Sequence, residues 1–140
     1  MLAQAISRLR QLGVRITPQR QEVLRVLLEG KQPSTAEEIL KKVRSRYPRV
    51  SQDTIYRTLA TFKKLGLVNE LHFSDRCRRF EINIRGDHHH HMVCIQCGNA
   101  WKLPDCPLEC LMRAKNYYPD FQIEDHSFVI YGYCPKCRGA

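Results

Sequence analysis

No stretch of this chain approaches the roughly 18 consecutive apolar residues that a membrane-spanning helix needs. The opening segment "MLAQAISRLRQLG" is too polar for a signal peptide, so the expected location is the cytoplasm, without membrane contact. Acidic residues are few beside basic ones: 14 Asp and Glu stand against 23 Lys and Arg, for a net charge of +9. That imbalance favours an anionic partner, nucleic acid first, over a merely solvated basic surface. No internal repeat of useful length and no low-complexity linker is present, so a repeat array is not expected. An HExxH helix motif is also missing, which counts against a zinc hydrolase.

Cysteine, by contrast, is plentiful. Seven cysteines in a reducing compartment argue for metal or redox chemistry rather than a disulfide framework. At 140 residues the chain is one domain or two very small ones. Two domains of about 60–80 residues would each have a marginal core and would draw on metal or oligomerisation.

The first half reads as helices. In "RITPQRQEVLRVLLEG", Thr17 is a good N-cap, Pro18 suits the first helical position, and Gly30 can end the run. Val23, Leu24, Val26, Leu27 and Leu28 supply its apolar face. "STAEEILKKVRSRYP" follows, with Ser34 and Glu37 spaced as a capping box and Ile39, Leu40 and Val43 facing inward. A weaker amphipathic segment, Ile6 to Leu12, precedes both. The third strong helix is "SQDTIYRTLATFKKLG", with Ser51 as N-cap and Gly66 as terminator. Ile55, Leu59 and Phe62 form its apolar stripe, opposite Asp53, Tyr56, Arg57, Ala60 and Lys64. "LVNELHF" and "RRFEIN" then read as two short strands around "SDRC". Three helices and a hairpin are the plan of a winged helix-turn-helix.

From about Arg85 the character changes. Cys94, Cys97, Cys106, Cys110, Cys134 and Cys137 all lie here, with five histidines. "AWKL" and "FQIEDHSFVIYGY" favour strands, and "PLECLMRAKNYYP" between them favours a helix. Cys94-x-x-Cys97 and Cys134-x-x-Cys137 form two knuckles that can complete a tetrahedral four-thiolate shell for zinc, with an iron-sulfur centre second. The run His88 to His91 is solvated polyhistidine by default. On an extended segment, however, His89 and His91 face one way and His88 and His90 the other, so the run can serve two sites. Cys106 and Cys110 would share a helix face if the helix began early enough. Buried packing is their commoner role, and Cys77 in the wing turn is undecided.

These motifs in this order resemble the ferric uptake regulator superfamily of metal-dependent repressors. The likeness covers almost the whole length, through "TPQRQEVL", "STAEEI", "VSQDTIYRTLATFKKLGLV", "RRFEIN", "HHHHMVCIQCG" and "HSFVIYGYCPKC". The resemblance implies an α+β protein: a winged-helix DNA-binding domain over residues 1–84 and a small α+β metal-binding dimerisation domain over 85–140. It implies a homodimer on an inverted-repeat operator of double-stranded DNA, with no small organic substrate and no enzymatic activity. The family's structural zinc maps onto Cys94, Cys97, Cys134 and Cys137. A second dimerisation-domain site maps onto His88, His90, Glu109 and His126.

The family's regulatory hinge site maps incompletely. Glu81, His89 and His91 match, but Pro33 and Lys102 stand where a histidine and a carboxylate are usual, and neither supplies a ligand as protonated lysine or proline. His72 occupies a place where zinc-sensing members carry a ligand. The implied hinge set is therefore His72, Glu81, His89 and His91, inclining to Zn2+, with Fe2+ or Mn2+ as the alternatives. Nickel and peroxide sensing belong to the same family. The resemblance also places Tyr56 and Arg57 at base edges; Ser51, Gln52 and Thr54 at the start of the same helix are expected to bind DNA with them, and Arg15, Arg20, Lys63 and Lys64 are candidates for phosphate contact. From other classes, a thiol oxidoreductase lacks the βαβ context for its CxxC. A zinc-ribbon adaptor would leave the helix-turn-helix unexplained.

Overall fold

The computed structural model of the chain describes residues 1–74, 76–84 and 90–139. Two compact units emerge, Met1–Asp87 and His88–Ala140. The first holds helices α1 (Leu2–Gln11), α2 (Pro18–Glu29), α3 (Ala36–Arg44) and α4 (Gln52–Lys64), then strands β1 (Val68–His72) and β2 (Arg78–Ile82). The second holds β3 (His90–Cys94), β4 (Ala100–Leu103), α5 (Leu108–Tyr117) and β5 (Val129–Gly132).

In the first unit, local signals and packing agree. The Thr17 hydroxyl accepts from the Arg20 N–H at 3.2 Å, and Pro18 opens α2 as a residue with no amide proton to waste. The start of α3 lies one residue later than the expected capping box: Thr35, not Ser34, caps the helix, accepting from the Glu38 N–H at 3.2 Å. Ser34 has a different task, because its backbone exchanges two hydrogen bonds with Phe80 and ties the entry of α3 to β2. Gly66 ends α4 at φ +76°, with the Leu67 N–H donating to the Phe62 carbonyl at 2.9 Å and the Gly66 N–H to that of Lys63 at 3.0 Å. That is the paired-bond helix stop in which glycine accepts the left-handed backbone. Gly30 also ends a helix but at φ −67°, so any residue could adopt its backbone.

One core joins these elements. Ile55, Leu59 and Phe62 from α4 are 1%, 1% and 0% exposed, and they meet Val23, Leu24, Val26 and Leu27 of α2, with Ile39 and Val43 of α3. Leu28 and Leu40 are only half-buried. Ala5 and Leu9 close the core from α1, and Val68 and Phe80 from the hairpin. β1 and β2 pair antiparallel from Val68 opposite Ile82 to His72 opposite Arg78.

The second unit is a three-stranded sheet in the order β4-β3-β5, antiparallel across β3–β4 and parallel across β3–β5. α5 lies in the crossover that parallel pairing demands. The long strand expected over "FQIEDHSFVIYGY" shrinks to Val129–Gly132. Among the described residues the buried apolar ones here are few: Val93, Cys94, Ala100 and Cys134. Met92, Trp101, Phe128 and Ile130 are each more than two-fifths exposed, and α5 buries none of its residues.

Candidate metal centres and nucleic-acid face

Parallel pairing of β3 with β5 sets Cys94 opposite Gly132, so both knuckles emerge at the same end of neighbouring strands. The first turn closes through the Gly98 N–H to the Cys94 carbonyl at 2.9 Å, and the second through the Cys137 N–H to the Cys134 carbonyl at 2.9 Å. The sulfurs of Cys94, Cys97, Cys134 and Cys137 all lie within 4.8 Å of one another. Cys97 and Cys134 are 3.9 Å apart, against the about 3.8 Å that a tetrahedral ion with 2.3 Å zinc–sulfur bonds would impose. The donor set fits zinc.

Electrostatics explains why such a cluster calls for a cation. The Cys94 thiol is brought down to about 6, chiefly by the Cys97 backbone N–H and then by that of Cys134, at 3.4 Å from the sulfur. Cys137 moves the other way, up to about 12, because its proton is held by the Cys134 sulfur and burial disfavours the anion. One negative charge settles where amides point, and the neighbours resist a second. A divalent ion removes that conflict.

A second group of ligand atoms in the same unit consists of His90, Cys106 and His126. Cys106 Sγ lies 3.4 Å from His90 Nε2 and 3.0 Å from His126 Nε2. The resemblance implied His88, His90, Glu109 and His126. His88 is outside the described residues, His90 and His126 do come together, and Glu109 does not join them. Glu109 sits exposed in the first turn of α5. Sequence reasoning missed Cys106 because it considered the cysteine as a helical residue, whereas α5 begins only at Leu108, after Pro107. That proline was the available signal.

The hinge set is not assembled within the first unit. His72 and Glu81 lie on paired strands, but Glu81 is opposite Asn69, three residues along from His72. Three strand residues separate them by about 10 Å and turn them to opposite faces. His72 accordingly is exposed near Glu70, its Nε2 3.9 Å from the carboxylate, while Glu81 is 4% exposed. His91 is 2% exposed and pairs across the sheet with Lys102. His89 lies outside the described residues. Pro33 is buried at the approach to α3. Cys77 is exposed just ahead of β2, beside Arg76 and Arg78 and near Tyr56 and Thr35.

α4 carries the polar stripe to the surface. Ser51 caps it by accepting from the Thr54 N–H at 3.0 Å and also meets the Thr54 hydroxyl at 2.8 Å, with Gln52 exposed in the first turn. Arg57 is exposed and ion-paired with Asp53 one turn back. Tyr56 is half-buried, its hydroxyl donating to Glu37 at 3.4 Å. Lys64 is exposed, whereas Lys63 is held by Glu70, whose side chain is 8% exposed and also takes Arg78 at 3.1 Å. The hydrogen bond from Lys63 keeps the Glu70 carboxyl below its usual range. Arg20 reaches the Arg15 carbonyl at 2.8 Å ahead of α2, leaving Arg15 exposed.

The chain resembles known proteins in sequence and in fold. The chain is 39% identical over 137 residues, 98% of its length and 91% of the relative's, to the peroxide-responsive repressor PerR of Staphylococcus aureus. The ferric uptake regulator Fur of Helicobacter pylori, whose structure has three functional metal-binding sites, superposes with a TM-score of 0.81 at 25% identity, over 99% of this chain and 94% of that one. A zinc uptake regulator solved with zinc and DNA superposes with a TM-score of 0.74 at 25% identity, covering 96% and 91%. The profile of the ferric uptake regulator family matches residues 11–131. With its winged-helix unit, its four-cysteine cluster and that match, the chain belongs to the ferric uptake regulator family of metal-responsive transcriptional repressors, which are regulators rather than enzymes.

Proposed function

We propose that this chain is a homodimeric repressor that grips an inverted-repeat operator when its metal sites are filled, with zinc at the four cysteines as a structural ion. The observation that carries the reading is the α4 surface. A capped helix packed on the four-helix core of the first unit exposes Arg57 and Lys64, with Tyr56 beside them, and the β1–β2 wing follows it. Arg57 suits guanine O6 and N7, and Tyr56 suits thymine methyls. Arg15, Arg20 and Lys64 suit phosphates. Dimerisation is supported by the apolar side chains that the second unit exposes, Met92, Trp101, Phe128 and Ile130 among them.

Control is a population shift. The family resemblance implies Glu81, His89 and His91 as ligands of a regulatory ion, which would fix the spacing of two α4 helices to about 34–36 Å, one helical turn of DNA. One carboxylate and two imidazoles suit Zn2+, Fe2+ or Mn2+. Zinc is preferred because three protein ligands with one open position is a geometry it tolerates well. Peroxide sensing through Fe2+ or Mn2+ is the second reading, favoured by the Staphylococcus aureus relative.

Operator-fragment binding, titrated separately with Zn2+, Fe2+, Mn2+ and Ni2+ under reducing conditions, tests both. Tightening by zinc alone supports the first reading. Tightening by Fe2+ or Mn2+, with loss on peroxide addition to the iron form, supports the second. Binding indifferent to every ion would remove both.

A further inference from the structure

The His90–Cys106–His126 group has a composition that the family resemblance did not lead us to expect. Its three donors come from separate parts of the second unit: the first residue of β3, the segment before α5, and the segment before β5. His90 is 2% exposed, and its ring centroid lies 5.1 Å from that of His126. A tetrahedral zinc-class ion sets its sulfur and nitrogen ligands about 3.5 Å apart. The observed 3.4 and 3.0 Å separations come within about half an ångström of that spacing. We propose that His90, Cys106 and His126 form a thiolate-containing site for a zinc-class divalent ion, with Cys106 rather than Glu109 as its anionic ligand. It rests on the reading of the chain as a metal-binding repressor and assigns one of its sites new chemistry.

The substitution of sulfur for carboxylate decides what the site takes. A carboxylate among imidazoles tolerates Mn2+ and Fe2+, whereas thiolate with two imidazoles favours Zn2+ and Co2+. Three protein ligands leave one tetrahedral position for water or a further side chain. The Cys106 thiol releases its proton to solvent as the metal–sulfur bond forms. The Phe128 N–H donates to His90 Nδ1 at 3.1 Å, which leaves the ring proton on Nε2, facing the sulfur. Ligation through Nε2 therefore moves that proton to Nδ1 by way of solvent and breaks the Phe128 bond. Phe128 adjoins Val129, the residue paired with His91, so loading is felt at the start of β5.

The test uses the full chain with zinc retained in its four-cysteine cluster and Co2+ added. Unmodified protein should show a near-ultraviolet sulfur-to-cobalt charge-transfer band, since the cluster thiolates are already occupied. The band should vanish in Cys106→Ser and persist in Cys77→Ser and Cys110→Ser. Native mass spectrometry of the zinc-loaded proteins should show Cys106→Ser losing one zinc per subunit relative to the parent, and Cys110→Ser losing none. No cobalt–sulfur band in the unmodified protein would overturn the proposal, and it decides the matter even if Cys106→Ser fails to fold. So would loss of the ion in Glu109→Gln with retention in Cys106→Ser. Operator binding on the same samples keeps the two readings apart: metal-dependent binding without the band rejects this site alone, and metal-independent binding rejects the repressor.

Discussion

Glu22 is a charged residue on the apolar side of α2, 3% exposed, and it survives there because Arg25 and Arg46 both reach its carboxylate. The Arg25 hydrogen bond is the largest of the effects that hold its carboxyl below the usual glutamate range, against the desolvation that would raise it. A depressed folded-state pKa contributes stability that is complete above the unfolded pKa and drains away as pH falls through the folded one. Glu22→Gln should therefore cost about 1–2 kcal/mol near neutrality, with the gap to the parent closing below about pH 4. Thermal unfolding of both proteins across that range measures it, and a constant gap would show that packing rather than charge sets the effect. On the reading face, Arg57→Ala should lose about 1–3 kcal/mol of discrimination between operator and random DNA. Its exposed pair with Asp53 is the kind of i,i+4 contact worth only about 0.3–0.5 kcal/mol, so it does not hold Arg57 back. Lys64→Ala should weaken all sequences alike and flatten the salt dependence. Equal discrimination in Arg57→Ala and the parent would take α4 off the bases.

At the level of elements, the stop of α4 sets where the wing begins. Gly66 at φ +76° turns the chain so that Leu67 and Val68 enter the core at 0% and 2% exposure. A side chain there would meet no atom within 4 Å, so the penalty of Gly66→Ala is purely that of the backbone, about 1 kcal/mol. Denaturant titration should show that loss with an unchanged slope. A loss several times larger would mean that the turn itself had been rebuilt and the hairpin displaced. Thr35 shows how a cap can be misplaced by one residue. "STAEE" offers two hydroxyls and two glutamates at the same spacing, and the bridge between Ser34 and Phe80 removes Ser34 from the choice.

For the molecule as a whole, the two units are stabilised differently. The first has a continuous apolar core from four helices and the hairpin, and the second, among its described residues, has only Val93 and Ala100 as buried apolar side chains beside Cys94 and Cys134 of its thiol cluster. Zinc at such a cluster supplies about 10–16 kcal/mol of apparent binding energy in small peptides, enough to dominate a weak core. Cys97→Ser should release one zinc per subunit and leave the second unit unfolded or the protein monomeric, while the helical signal of the first unit remains. Metal analysis with sedimentation velocity and circular dichroism reads all three outcomes. A variant that kept its zinc and its dimer mass would remove the ion from Cys97.

Short-range physics was legible in the chain itself. The caps Thr17 and Ser51, the stop at Gly66, the stripe Ile55–Leu59–Phe62 and the strand "AWKL" each depend on neighbours within a few residues, and each is found where the pattern placed it. The cysteine knuckles were equally readable, because a two-residue gap constrains two sulfurs wherever the turn lies. Tertiary structure alone decided the rest. Whether His72 could join Glu81 depended on strand register, and a shift of three residues sends the two to opposite faces. Whether Cys106 or Glu109 met His90 and His126 depended on where α5 begins and how β3, β5 and their connection bring distant segments together. A sequence carries the chemistry of each side chain, but the distance between residues far apart in the chain is set only by how its elements pack.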